Sequence, residues 1–206
     1  MTTDSGIVMH VQDIGRDSPP VALYRSDFDL MVHSWTRDGW ILMEEGRGQM
    51  DIRSLRVDHP QDVKSVIATP ANERNPHVSP DGKWLAYQSD ESGADQVYVV
   101  SFPDVGRPQQ VSTQGGRYPR WSPRGDELFY RGPDATLMAV PVKTGTAFTH
   151  GAPAALFKMP DESGWAWAPS PDGQRFLMAR LTASASIGEL HVVRNFAAVL
   201  RARGKP

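Results

Sequence analysis

Residues 78–87 read VSPDGKWLAY: a four-residue turn, Ser79-Pro80-Asp81-Gly82, followed by a strand that is apolar on both faces. Pro80 presets φ at the second turn position, Asp81 suits the third, and Gly82 accepts the positive φ that closes a hairpin. The stretch recurs. SWTRDGWILM starts at Ser34 with Asp38 and Gly39 in the turn, WSPRGDELFY at Trp121 with Gly125, and PSPDGQRFLM at Pro169 with Asp172 and Gly173. The glycines are 43, 43 and 48 residues apart, close to the roughly 40–50 residues of a four-stranded repeat unit. Serines at one turn position in successive units are a structural repeat, not a set of active sites.

Working outward from the second unit, an inner strand near Asn75–Ser79 precedes the turn, and KWLAYQS, DQVYVVSF and QQVST follow between Gly- and Pro-containing gaps. This is four strands per repeat. Strands such as Leu128-Phe129-Tyr130 and Phe176-Leu177-Met178 have no polar face, as a sheet packed between two other sheets requires. The expected fold is all-β: a β-propeller of four-stranded antiparallel blades, with about four blades plus a half blade in an incomplete, open arc. The half blade spans 6–26, full blades span 30–69, 74–113, 117–159 and 164–194, and residues 195–206 form a short helical tail. The last blade lacks its own outer strand. A compact four-bladed closure is the rival, in which Val21–Ser26 would pair with Glu189–Val193. Open ends leave strand edges and apolar faces uncovered, so self-association through blade edges is expected.

Composition agrees with many short strands. Eighteen glycines and 17 prolines punctuate 206 residues, of which 39% are hydrophobic and 22% charged. A net charge of −2 gives no broad positive field, which argues against nucleic-acid binding. The absence of cysteine excludes disulfides, thiolate metal sites and a Cys nucleophile. The opening Met1–His10 lacks the pattern of a signal peptide, and no apolar run has the length of a membrane span. As written, the chain reads as cytoplasmic and not membrane-inserted; its true compartment stays open.

The SPDG turn followed by an aromatic-rich strand, in SPDGKWLAYQSDESG and SPDGQRFLM, resembles the TolB-type, WD-like propeller repeat. More narrowly, NPHVSPDGKWLAYQSDESG (75–93), GGRYPRWSPRGDELFY (115–130) and LFKMP (156–160) resemble the C-terminal propeller of some bacterial serine/threonine protein kinases. That resemblance implies about six blades and an extracytoplasmic, periplasmic-side location in a longer protein. Arg124 replaces the usual Asp, and Thr36-Arg37 replaces Ser-Pro. No kinase catalytic loop or glycine-rich phosphate loop is present, so kinase activity does not carry over to this chain.

Local chemistry points away from catalysis. His10, His33, His59, His77, His150 and His191 are scattered without zinc-site spacing, so no metal or cofactor is expected. There is no G-x-S-x-G elbow. Gly46-Arg47-Gly48 reads as a hairpin turn rather than a dinucleotide loop. The binding candidates are polar residues on the inner strands bordering the central channel. Ser34, His77, Arg120 and Ala168 lie five residues before each turn glycine, and Val32, Asn75, Tyr118 and Ala166 lie two residues earlier, on one strand face by the period of two. Asn75, His77, Tyr118, Arg120 and Ser34 are thus read as converging on an anionic or peptide group; the plain alternative is hydrogen bonding to blade edges or solvent. Trp35, Val78, Trp121 and Pro169 alternate with them and are expected between blades. The expected function is non-catalytic binding of a protein, peptide or small ligand. The alternatives are the sensor part of a receptor kinase or the accessory propeller of a prolyl-oligopeptidase-type peptidase, each as part of a larger protein.

Overall fold

A computed structural model describes residues 6–13, 19–160, 166–179 and 190–193. The chain forms successive antiparallel sheets, and among the described residues none is closed on itself. Strands β1 (Ile7–Val11) and β2 (Val21–Ser26) pair as a two-stranded half blade. The next sheet holds β3 (Asp29–Trp35), β4 (Trp40–Arg47), β5 (Gln49–Arg56) and β6 (His59–Ile67) in simple succession. The third comprises β7 (Glu73–Val78), β8 (Trp84–Ser89), β9 (Gln96–Ser101) and β10 (Gln109–Gln110). In the fourth, β11 (Arg117–Trp121), β12 (Glu127–Arg131) and β13 (Thr136–Thr144) are edged by an outer strand split in two. Its pieces, β14 (Phe148–His150) and β15 (Ala154–Lys158), both pair with β13. Among the described residues the last sheet has three strands, β16 (Trp167–Pro169), β17 (Phe176–Ala179) and β18 (Leu190–Val193). The expected helical tail lies outside the described residues.

The core lies between sheets, and alternate residues of one strand serve opposite neighbours. Along β8, Leu85 and Tyr87 pack with Leu42 and Ile52 of the preceding sheet, while Trp84 and Ala86 pack with Leu128 and Trp121 of the following one. Along β12, Leu128 and Tyr130 face backward and Phe129 faces forward to Trp167 and Phe176. This two-sided burial is the reason these strands carry no polar face. The half blade stacks in the same way, with Met9, Leu23 and Tyr24 against Ile41, Met43 and Leu55. Strand β2 pairs with β1, and β18 with β17. Among the described residues, then, the pairing demanded by compact four-bladed closure is not the one formed.

The four turns share one hydrogen-bond pattern despite their differing sequences. Ser79 Oγ donates to Asp81 Oδ1 at 2.5 Å and accepts from the Trp84 N–H at 3.0 Å, while the Gly82 N–H donates to the Ser79 carbonyl at 2.9 Å. Thr36 does the same with Asp38, Trp40 and Gly39. Ser170 pairs with Asp172 and Gly173. Where Arg124 removes the usual carboxylate, Ser122 Oγ donates instead to Asp126 at 2.7 Å, so the departure is absorbed two residues later. Gly82 has φ +75° and open space where a Cβ would stand. Gly82→Ala is therefore expected to cost about 1 kcal/mol, from left-handed backbone strain alone, read as a lower urea midpoint at unchanged slope.

One expectation fails. Val78 and Trp121 are buried against the preceding sheet and Pro169 is partly exposed, but Trp35 is 59% exposed. Among the described residues, the sheet preceding Trp35 consists of β1 and β2, and no inner strand of it stands opposite β3. Phe28, Met31 and Val32 are exposed on the same segment. No helix among the described residues is long and apolar enough to cross a membrane.

Candidate functional site

The inner strands of three consecutive sheets, β3, β7 and β11, surround one cavity of about 610 Å³. Met31, Val32 and His33 come from β3, Arg74 and Asn75 from β7, and Tyr118 and Arg120 from β11; Glu44 and Gln88 reach in from β4 and β8. Each inner strand slips register at the cavity: between Val32 and Ser34, between Arg74 and His77, and between Arg117 and Arg120. At two of these slips the backbone turns left-handed, with φ +55° at both Asn75 and Tyr118. A non-glycine residue held there is strained and needs its surroundings to fix it.

What fixes it is a side chain from the preceding sheet. A bulged residue takes its N–H out of the strand ladder, and a buried N–H needs an acceptor. The Asn75 N–H donates to Glu44 Oε1 at 2.5 Å, and the Tyr118 N–H to Gln88 Oε1 at 3.3 Å. Glu44 and Gln88 hold corresponding places on the second strands of successive sheets. The network continues outward: Asn75 Nδ2 donates to Gln88 Oε1 at 3.2 Å, Gln88 Nε2 donates to Asp95 Oδ1 at 2.8 Å, and Asp95 Oδ2 is 2.6 Å from Arg117 Nε. His33 Nε2 lies 2.6 Å from the same Glu44 oxygen.

Of the five binding candidates, Asn75, Tyr118 and Arg120 share this cavity, with Val32 beside them. His77 and Ser34 do not; they line a separate cleft beside the turns, with Trp35, Asp38 and Asp81. On β7 the inserted residue breaks the period-of-two relation that put Asn75 and His77 on one face, whereas on β11 the same slip leaves both Tyr118 and Arg120 at the cavity. His77 instead joins two inner strands: its carbonyl accepts from Trp121 Nε1 at 2.7 Å and its Nδ1 from the Trp121 N–H at 3.4 Å. Burial, aided by the charges of Arg120 and His33, lowers its pKa to about 3, so it is neutral at pH 7. Sequence reasoning missed His33, Glu44, Arg74 and Gln88. A signal was available for Glu44 and Gln88, since each is a polar residue ending an apolar second strand at a corresponding place.

Arg120 has its pKa lowered by burial, with Glu44 opposing the shift. Its guanidinium donates to the Pro119 carbonyl at 2.8 Å and stands 6.0 Å from the centroid of the Trp167 ring. Arg74 donates to Asn72 Oδ1 at 3.4 Å, and its Nε is buried without an acceptor. The site thus offers fixed donors, two cations and an apolar flank at Met31 and Val32. Among the described residues no group of three His, Asp or Glu side chains is placed to hold a metal ion.

No family model matches the chain. An uncharacterised protein of Agrobacterium fabrum is 28% identical over 159 residues, covering 72% of this chain and 54% of that protein. Among solved structures, TolB from Acinetobacter baumannii matches with a TM-score of 0.65 at 18% identity, over 91% of this chain and 46% of that one. An oligogalacturonate lyase in complex with manganese matches at 0.61 with 13% identity, over 88% of this chain and 52% of that one. The fold is therefore that of the TolB-type β-propellers, and the chain spans about half the length of these relatives. Its structural neighbours include both TolB and an enzyme, so the fold by itself does not decide between binding and catalysis.

Proposed function

We propose that the chain is a non-catalytic recognition module that takes an extended peptide segment or a small ligand into the cavity between its inner strands. The observation that carries this reading is the arrangement of β3, β7 and β11, whose slipped registers hold Asn75, Tyr118 and Arg120 around one cavity. Its volume of about 610 Å³ falls in the ~300–1,000 Å³ range of small-ligand sites. Left-handed backbone fixed by side chains from a neighbouring sheet is preorganisation, which lowers the cost of ordering a site on binding. A second reading makes this module the sensor part of a kinase or the accessory propeller of a peptidase; that the chain spans 54% of its Agrobacterium relative favours a larger parent protein.

The test is a titration of the ¹⁵N-labelled chain with a mixture of short peptides. Amide shifts should cluster at His33, Asn75, Tyr118 and Arg120, and mass spectrometry should return the peptides intact. Shifts scattered over the surface, or cleaved peptides, would sink the reading.

A further inference from the structure

The charges around the cavity go further and name the chemistry of its ligand; this rests on the reading of the cavity as a recognition site. Glu44 is the one carboxylate among its lining residues, and it is already engaged by the Asn75 N–H and by His33. Arg74 and Arg120 are left with donors to spare. A guanidinium carries five N–H donors, and among the described residues Arg120 has no carboxylate within ion-pairing distance; its hydrogen bond goes to a backbone carbonyl. Arg74 has a long contact to Asn72 and a buried Nε without an acceptor. Buried cations are costly unless paired, and the guanidinium fork matches a carboxylate in a bidentate fit.

We propose that the cavity binds a carboxylate group, held by Arg74 and Arg120, with the adjoining apolar part of the ligand lying on Met31 and Val32. The Glu44 charge in the same cavity repels a dianion more strongly than a monoanion, which favours carboxylate over phosphate. In a peptide ligand, the carboxylate comes either from an acidic side chain or from the C-terminus.

Four probes, titrated into the full chain by calorimetry, separate these cases: acetyl-Leu-Leu-Glu-amide, acetyl-Leu-Leu-Leu with a free C-terminus, acetyl-Leu-Leu-Leu-amide and inorganic phosphate. At least one carboxylate probe should bind about tenfold or more tightly than the neutral amide, the advantage expected of a charge-assisted hydrogen-bond pair. The better of the two carboxylate probes identifies the source. Arg120→Gln and Arg74→Gln should each abolish that advantage, and Glu44→Gln should narrow the gap between carboxylate and phosphate. Circular dichroism checks that each variant folds, and Arg74→Gln carries the test if Arg120→Gln does not. Neutral and acidic peptides binding alike, or phosphate binding best, would overturn the carboxylate assignment while leaving a recognition site in place. If no peptide binds, both readings fall.

Discussion

Trp121→Ala should lower the unfolding free energy by about 3–5 kcal/mol, while Trp35→Ala, at the matching position one repeat before Val78, should change it by less than about 0.5 kcal/mol. Trp121 is 2% exposed and packs against Ala86, Val97 and Val99 of the preceding sheet, with Phe148 set edge-on to its ring at 6.1 Å. Its removal opens a cavity between two sheets and also deletes the hydrogen bond to the His77 carbonyl. Among the described residues no inner strand stands opposite Trp35, and truncation there removes a side chain that is mostly in water already. Urea denaturation of both variants is the measurement. Similar costs would mean that Trp35 is covered in solution and that the half blade is not the open face described above.

Acidification should unfold the protein through His77. Its folded pKa of about 3 lies below the ordinary value of 6.5, so the folded state refuses a proton that the unfolded chain accepts. The sign follows: the contribution is fully present above pH 6.5 and is lost progressively as the pH falls toward 3. At about 1.4 kcal/mol per unit, the change from pH 7 to pH 4 removes about 3 kcal/mol. Exposed carboxylates with lowered pKa, such as Asp58 and Asp172, also weaken the fold in acid, so a variant is needed to isolate the histidine. The melting temperature of His77→Asn should fall less steeply between pH 7 and pH 4 than that of the wild type. Parallel curves would show that His77 is not held neutral by burial.

Much of the fold is legible in the sequence because it is locally encoded. Ser79-Pro80-Asp81-Gly82 and its counterparts set the repeat, and two-sided strands such as Leu85-Ala86-Tyr87 show that every sheet has neighbours. The turn at Gly125 shows that the hydrogen-bond pattern matters more than the letter, since Asp126 takes over what Arg124 cannot do. The site is less legible because it depends on distant partners. The left-handed backbone at Tyr118 exists because Gln88, 30 residues earlier, accepts its N–H, and no local pattern around Tyr118 announces that. Once the strand slips, counting by twos places His77 wrongly, and it equally hides Arg74, which lines the cavity beside Asn75. Trp35 fails for a related reason: its burial depends on inner strands in the neighbouring sheet, and none stands there among the described residues.

Packing between sheets also determines how the protein comes apart. Each of the four clusters of buried side chains joins one sheet to the next, so the molecule behaves as a linear chain of coupled units in which a unit's stability is the sum over its contacts. Among the described residues, the sheets containing β4, β8 and β12 have two such couplings each, while the β1–β2 pair and the β16–β18 sheet have one each. Opening therefore starts at the singly coupled sheets and travels inward, and the backbone amides of β8, β9 and β12 exchange their hydrogens last.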